Sequence, residues 1–103
     1  VIGKLEELTL LAVMRAGEAA LASEVYANVL KGHQTAAFGA VYTTLTRLAK
    51  KGLVEEVATT DDKRRQRRGF SISAGGRSAL AEALEASASV GGWGKGGVYG
   101  LAS

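Results

Sequence analysis

Residues 37–54 read AFGAVYTTLTRLAKKGLV, and the rest of the chain is organised around them. Val41, Leu45 and Leu48 recur at i, i+4 and i+7, which places them on one apolar stripe of a helix. Gly39, Thr43, Thr46, Arg47 and Lys50 fall off that stripe and are small, hydroxyl-bearing or cationic. No acid occurs between Ala37 and Val54. A helix that approaches a polyanion has to exclude acids. It also needs a slim leading turn, since bulky side chains would block entry into a major groove. Lys50-Lys51-Gly52 marks the helix end, with cations suiting the helix dipole and Gly52 as the C-cap.

Working back towards the start, Glu24 to Lys31 reads as a helix with Val25 and Val29 inward and Ser23 as its N-cap. Gly32 ends it, and His33-Gln34-Thr35-Ala36 form the turn into the central helix. Ala20-Leu21 is short enough to be a brief extended bridge. Ile2 to Ala16 predicts another helix, with Leu5, Leu8 and Ala12 on one face and Leu11 and Met14 widening it. Its second half is apolar nearly all round, so it needs cover on more than one side. Gly17 stops it. Two helices, a turn and an amphipathic third helix make a helix-turn-helix.

Beyond Gly52, Leu53 to Thr60 is strand-like and Asp61-Asp62 breaks it. A second strand is expected over Arg68 to Ala74, with Phe70 and Ile72 on one face. The pair forms a hairpin whose tip carries KRRQRR. Ser73 or Gly75-Gly76 leads into a last helix over about Arg77 to Ser89, where Leu80 and Leu84 are four apart and Ala79, Ala83 and Ala86 keep a small face. Too little chain remains to cover that helix, so it reads as partner-facing. Six glycines fall within residues 91–100, which predicts a flexible tail with Trp93 and Tyr99 as its anchors.

Composition bounds the function. A chain of 103 residues is one small domain, and domains of this size bury only about two-thirds of their unfolded surface. With no cysteine there is no disulfide scaffold, thiolate metal site or cysteine nucleophile, which fits a reducing cytosol and a cytoplasmic protein. No apolar run reaches the ~20 residues of a membrane span and no signal-peptide pattern opens the chain, so no membrane partner is expected. Val1 in place of Met suggests that the start shown is not the translated start. His33 is the sole histidine and lacks companion ligands, so no metal and no cofactor is expected. The adjacent acids Glu6-Glu7 and Glu55-Glu56 have neither base nor nucleophile beside them, so the chain does not read as an enzyme.

The net charge is only +3, but five of thirteen cations fall between Lys63 and Arg68. Lys63, Arg64, Arg65, Arg67 and Arg68 suit phosphate contacts; the plain alternative is a solvated loop pairing with Asp61 and Asp62. Gln34, Thr35, Thr43, Thr46 and Arg47 form the polar set for DNA, with Gly39 as the slim position. Gln suits adenine, Arg suits guanine, and Thr suits a thymine methyl or a phosphate. Tyr42 either reaches a phosphate or braces the helix.

The stretch GAVYTTLTRLAKKGLV resembles the recognition-helix signature of PadR-type transcriptional regulators. The resemblance continues through IGKLEELTLLAVMRAGEAAL before it and RRGFSISAGGRSAL after it, roughly Ile2 to Leu84. It implies a dimeric winged helix-turn-helix DNA-binding protein, mostly of repressor type, whose first and last helices build the dimer. It also implies that Tyr42 is a hallmark residue and that some members answer to phenolic or drug-like ligands. The chain departs from the pattern at Thr43, where Pro is frequent, and at Leu21-Ala22, where a tyrosine-glycine pair is common. Gly69 replaces an aromatic and Ala74 a proline. Ala37 replaces a Ser or Thr cap, so either Thr35 substitutes or a helix-end contact is lost.

The expected fold is mainly α with a small β-hairpin wing, a winged helix-turn-helix with an added C-terminal dimerisation helix. Residues 1–74 would bind DNA, 75–90 dimerise and 91–103 form the tail. Leu5, Leu8, Leu11, Leu80, Ala83 and Leu84 are the dimer candidates. The expected function is a transcriptional regulator, a homodimeric repressor that binds a palindromic operator on double-stranded DNA and is released by a small apolar effector. The rival from another class is a winged helix that docks on protein. A second rival is DNA binding of MarR or penicillinase-repressor type, against which the GAVYTTLTRLAKKGLV match counts.

Overall fold

The stripe of Val41, Leu45 and Leu48 is the floor of the core: all three side chains are closed to solvent. They belong to α3 (Phe38–Lys50), which the computed structural model, describing residues 2–91, places third among four helices. The order is α1 (Lys4–Ala16), β1 (Ala20–Leu21), α2 (Ala22–Gly32), α3, β2 (Val54–Thr60), β3 (Gln66–Ile72) and α4 (Ala74–Gly91). The strands form one antiparallel sheet in the order β1-β3-β2, with Ala20 opposite Phe70 and Thr60 opposite Gln66. Phe70 is fully buried and joins the sheet to Leu10, Val13, Val25 and Val29 from α1 and α2. This is a winged helix-turn-helix with a further helix at its end.

Several expectations need correcting. α1 turns inward Glu7, Thr9, Leu10, Ala12 and Val13, while Leu5, Leu8 and Leu11 are only half-buried. A helix apolar nearly all round carries too little asymmetry to say which side meets the core. Ser23 does not cap α2, which starts at Ala22; the Leu21 amide instead donates to Glu24 Oε1 at 2.9 Å. Thr35 does not cap α3 either. Ala37 holds the N-cap position without a side-chain bond, and Thr35 Oγ1 lies 3.5 Å from His33 Nδ1. β3 begins at Gln66, two residues before the expected start, so Arg67 and Arg68 lie on the ladder rather than at the tip. Leu80 is 2% exposed within the single chain, so it fills this chain's core and presents no face to a partner. Trp93 and Tyr99 lie outside the described residues.

Two features seat α4. Ser73 caps it, with its hydroxyl oxygen accepting the Gly76 amide at 3.0 Å. A Cβ on Gly76 would sit 2.0 Å from the Leu53 carbonyl oxygen, so the first turn of α4 packs there only without a side chain. Gly69 in β3 answers the same need. A Cβ there would come within 2.9 Å of the Ala19 carbonyl oxygen, where the chain enters β1. The departure from an aromatic at this position follows from that contact.

Candidate nucleic-acid interface

The outward row of α3 is Gly39, Thr43, Thr46 and Lys50, spaced by three or four residues and opposite the buried stripe. Burying Val41, Leu45 and Leu48 orients this row by necessity. Thr44, which sequence reasoning left out of the inner face, is also buried, its hydroxyl donating to the Ala40 carbonyl at 2.7 Å. A Cβ on Gly39 would meet nothing within 4 Å, so the protein's own packing does not require glycine there. The Thr46 hydroxyl donates to the Thr43 carbonyl at 2.8 Å and keeps its lone pairs for accepting. No acid stands in the first turn of α3.

One flank of this row meets the wing through Tyr42. Arg68 donates to the Tyr42 hydroxyl, and its guanidinium carbon lies 5.7 Å from the ring centroid. The same Arg68 donates to both Glu56 oxygens, at 3.2 and 2.8 Å, and Glu56 raises its proton affinity further. Tyr42 is therefore a brace between helix and wing, and its own O–H proton stays free to donate. Two more rings continue the line. Phe38 stacks on Tyr42 at 6.2 Å between centroids, and Tyr26 meets Phe38 edge-on at 5.4 Å. Sequence reasoning missed Phe38; the available signal was its spacing, three residues before Val41 and seven before Leu45, which extends the apolar stripe to the start of the helix.

The other flank is tied to α1. Lys51 Nζ lies 2.8 Å from Glu6 Oε2, and the Gly3 amide donates to Glu6 Oε1 at 3.0 Å. Lys51 first, and the Gly3 amide next, hold the Glu6 carboxyl below the usual carboxylate range. Arg47 is exposed on this side and adds a weaker pull on Glu6 without bonding to it.

The wing tip is built on Asp61 rather than merely broken by it. Its Oδ1 accepts the amides of Lys63 and Arg65, both at 2.9 Å, while Oδ2 meets Arg65 Nε at 2.9 Å and Arg67 Nε at 3.2 Å. The Arg65 amide foremost, then the Lys63 amide and the Arg65 guanidinium, hold the Asp61 carboxyl below the usual range. Arg64 takes the left-handed conformation (φ 64°) that closes the turn. Arg65 and Arg67 are thus both paired with Asp61 while keeping about half of their side chains open to solvent. The side chains of Lys63 and Arg64 project from the tip with no ion pair among the described residues. The structure brings Tyr42 of α3 together with Arg65, Arg67 and Arg68 of the wing, which line one groove. Gln34 and Thr35 lie exposed in the turn before α3.

A slim, acid-free helix row beside a cationic hairpin defines a winged-helix DNA-binding protein. Residues 10–82 match the model of the transcriptional regulator PadR-like family, and the chain belongs to that family. It is a DNA-binding regulator, not an enzyme. No curated protein matches the chain significantly by sequence. Among solved structures, it is similar to a PadR-like transcriptional regulator from Bacillus cereus, at TM-score 0.74 and 22% identity over 85% of this chain and 84% of that one. A PadR-like transcription factor from Bacteroides fragilis is similar at TM-score 0.67 and 26% identity, over 84% and 81%. The Orc1 protein of Aeropyrum pernix, solved in complex with DNA, is similar at TM-score 0.66 and 20% identity, over 82% of this chain and 24% of that one.

Proposed function

We propose that the protein reads an operator as a homodimer and represses by occupying a promoter in the cytoplasm. Each α3 enters a major groove with Gly39, Thr43, Thr46 and Arg47 towards base edges, and Gln34 and Thr35 at its approach. The wing holds the backbone or minor groove through Lys63, Arg64, Arg65, Arg67 and Arg68, and the dimer sets the half-site spacing. The observation that carries this is the outward row of α3: it contains no acid, and its glycine is not needed for internal packing. The Aeropyrum pernix relative, solved on DNA, supports the polyanion as partner.

The half-buried Leu5, Leu8, Leu11, Ala83 and Leu84 supply the dimer surface, without Leu80. An effector would enter the groove of about 400 Å³ between α1 and α4, walled by Ile2, Ala79, Ala83 and Ala86. Glu7 and Glu82 also line that groove, so a ligand carrying a donor or positive charge fits better than a wholly apolar one.

Fluorescence anisotropy on duplex from upstream of the gene, against a scrambled duplex at low and near-physiological salt, tests the reading. Tight binding to the native duplex that survives salt is expected. Neutralising Arg64 should lower the slope of log affinity against log salt by about 1. No binding to either duplex at low salt would sink it.

A further inference from the structure

The geometry points to Phe38 as a specificity-determining residue that reads a thymine methyl group. This rests on the operator-reading proposal above and adds the base it recognises. Phe38 is the first residue of α3, and the leading turn of such a helix is the part that reaches base edges in the major groove. Its side chain is 45% exposed. It stands three residues before Val41, where the apolar stripe runs out past the core's edge, and it is not among the residues that pack the core.

The ring is also held in place. Tyr26 meets it edge-on, with planes at 87°, and Tyr26 is itself fixed by its hydroxyl donating to the Ala36 carbonyl at 2.8 Å. Tyr42 stacks on it with planes 24° apart, and Tyr42 is fixed by Arg68. A ring anchored on two sides gives up little freedom when it docks. The only apolar group that a base edge offers in the major groove is the C5 methyl of thymine, and Phe is a known partner for it.

The test begins with selection of an operator by the full chain from a random duplex pool. Each recurrent thymine is then replaced by deoxyuridine, which removes only the methyl, and affinity is read by anisotropy. Wild type should lose about fourfold per half-site at one thymine position, the worth of one buried methyl group. Phe38→Ala should bind the thymine and deoxyuridine duplexes alike. The wild-type comparison needs no variant, so a folding defect in Phe38→Ala leaves the proposal testable. A consensus at which no thymine-to-deoxyuridine change matters overturns it. So does a Phe38→Ala protein that is uniformly weaker but keeps the wild-type ratio, which makes Phe38 a buttress for Tyr42. A selection that returns no consensus sinks the operator reading and this inference with it.

Discussion

α3 and α4 divide their surfaces in opposite ways. Across the outward side of α3, described polar groups are either bonded or free in solvent: Thr46 to its own backbone, Tyr42 to Arg68, and Arg65 and Arg67 to Asp61. Beneath α4, where it crosses α1, Glu7 is 5% exposed and its Oε2 finds no donor among the described residues. Thr9 Oγ1, fully buried, is in the same position. A buried polar atom without a partner costs about 1–3 kcal/mol. The outward side of α3 is finished within one chain, whereas α1 carries buried polar atoms that no described residue satisfies.

The largest effect that would sharpen this contrast is at Gly76. Gly76→Ala forces a methyl into the Leu53 carbonyl and should cost about 3 kcal/mol, read as a lowered midpoint in urea. A neutral result would show that α4 is not seated as described. Next comes Gly39→Leu. It should leave the melting curve intact yet weaken specific DNA binding by roughly ten- to a hundredfold, the worth of one or two base contacts. Unchanged affinity would move the interface away from this row.

Glu7→Leu is the variant most able to break the contrast. If a second copy supplies the missing donor, the variant should shift sedimentation velocity towards monomer by about tenfold in dissociation constant, a loss of about 1.4 kcal/mol. If nothing supplies it, the variant should stabilise the chain by about 1 kcal/mol and leave its oligomeric state alone.

The smallest effect is in acid. Glu6 and Asp61 hold protons less tightly in the folded chain than ordinary carboxyls do. The unfolded chain therefore binds more protons in the acid range, and stability rises with pH there. The contribution is complete above the ordinary carboxylate range and is lost as pH falls through the lowered folded values. Asp61→Asn and Glu6→Gln should each flatten the rise, followed by circular dichroism from neutral pH downwards.

How legible each part was in the sequence follows from the physics of each element. α3 could be read nearly residue by residue because a single apolar stripe at helical spacing leaves one solution for what faces out. The inner face of α1 could not, since Leu5, Leu8, Leu10, Leu11 and Val13 surround it and only packing chooses among them. Thr44 lies three residues after Val41 and four before Leu48, on the inner face, where its hydroxyl is satisfied by the Ala40 carbonyl; its polarity hid a position that the spacing allowed. The hairpin was legible but its ladder ran further than expected. Asp61 gathers two amides and two guanidinium groups into a tight tip, which frees Gln66 and Arg67 to pair with Thr60 and Thr59. Phe38 escaped notice because its spacing from Val41 and Leu45 is that of a core residue, whereas it sits past the core's edge and stays 45% exposed.

Ser73 does more than start a helix. Its hydroxyl donates to the Gly52 carbonyl at 2.7 Å while accepting the Gly76 amide, and its own amide donates to the Leu53 carbonyl at 3.1 Å. The exit of α3 and the entry of α4 are thus clamped by one side chain rather than joined by slack chain. The end of α3 and the start of α4 therefore hang on one hydroxyl, so a single substitution at Ser73 removes a bond from each side of the junction at once.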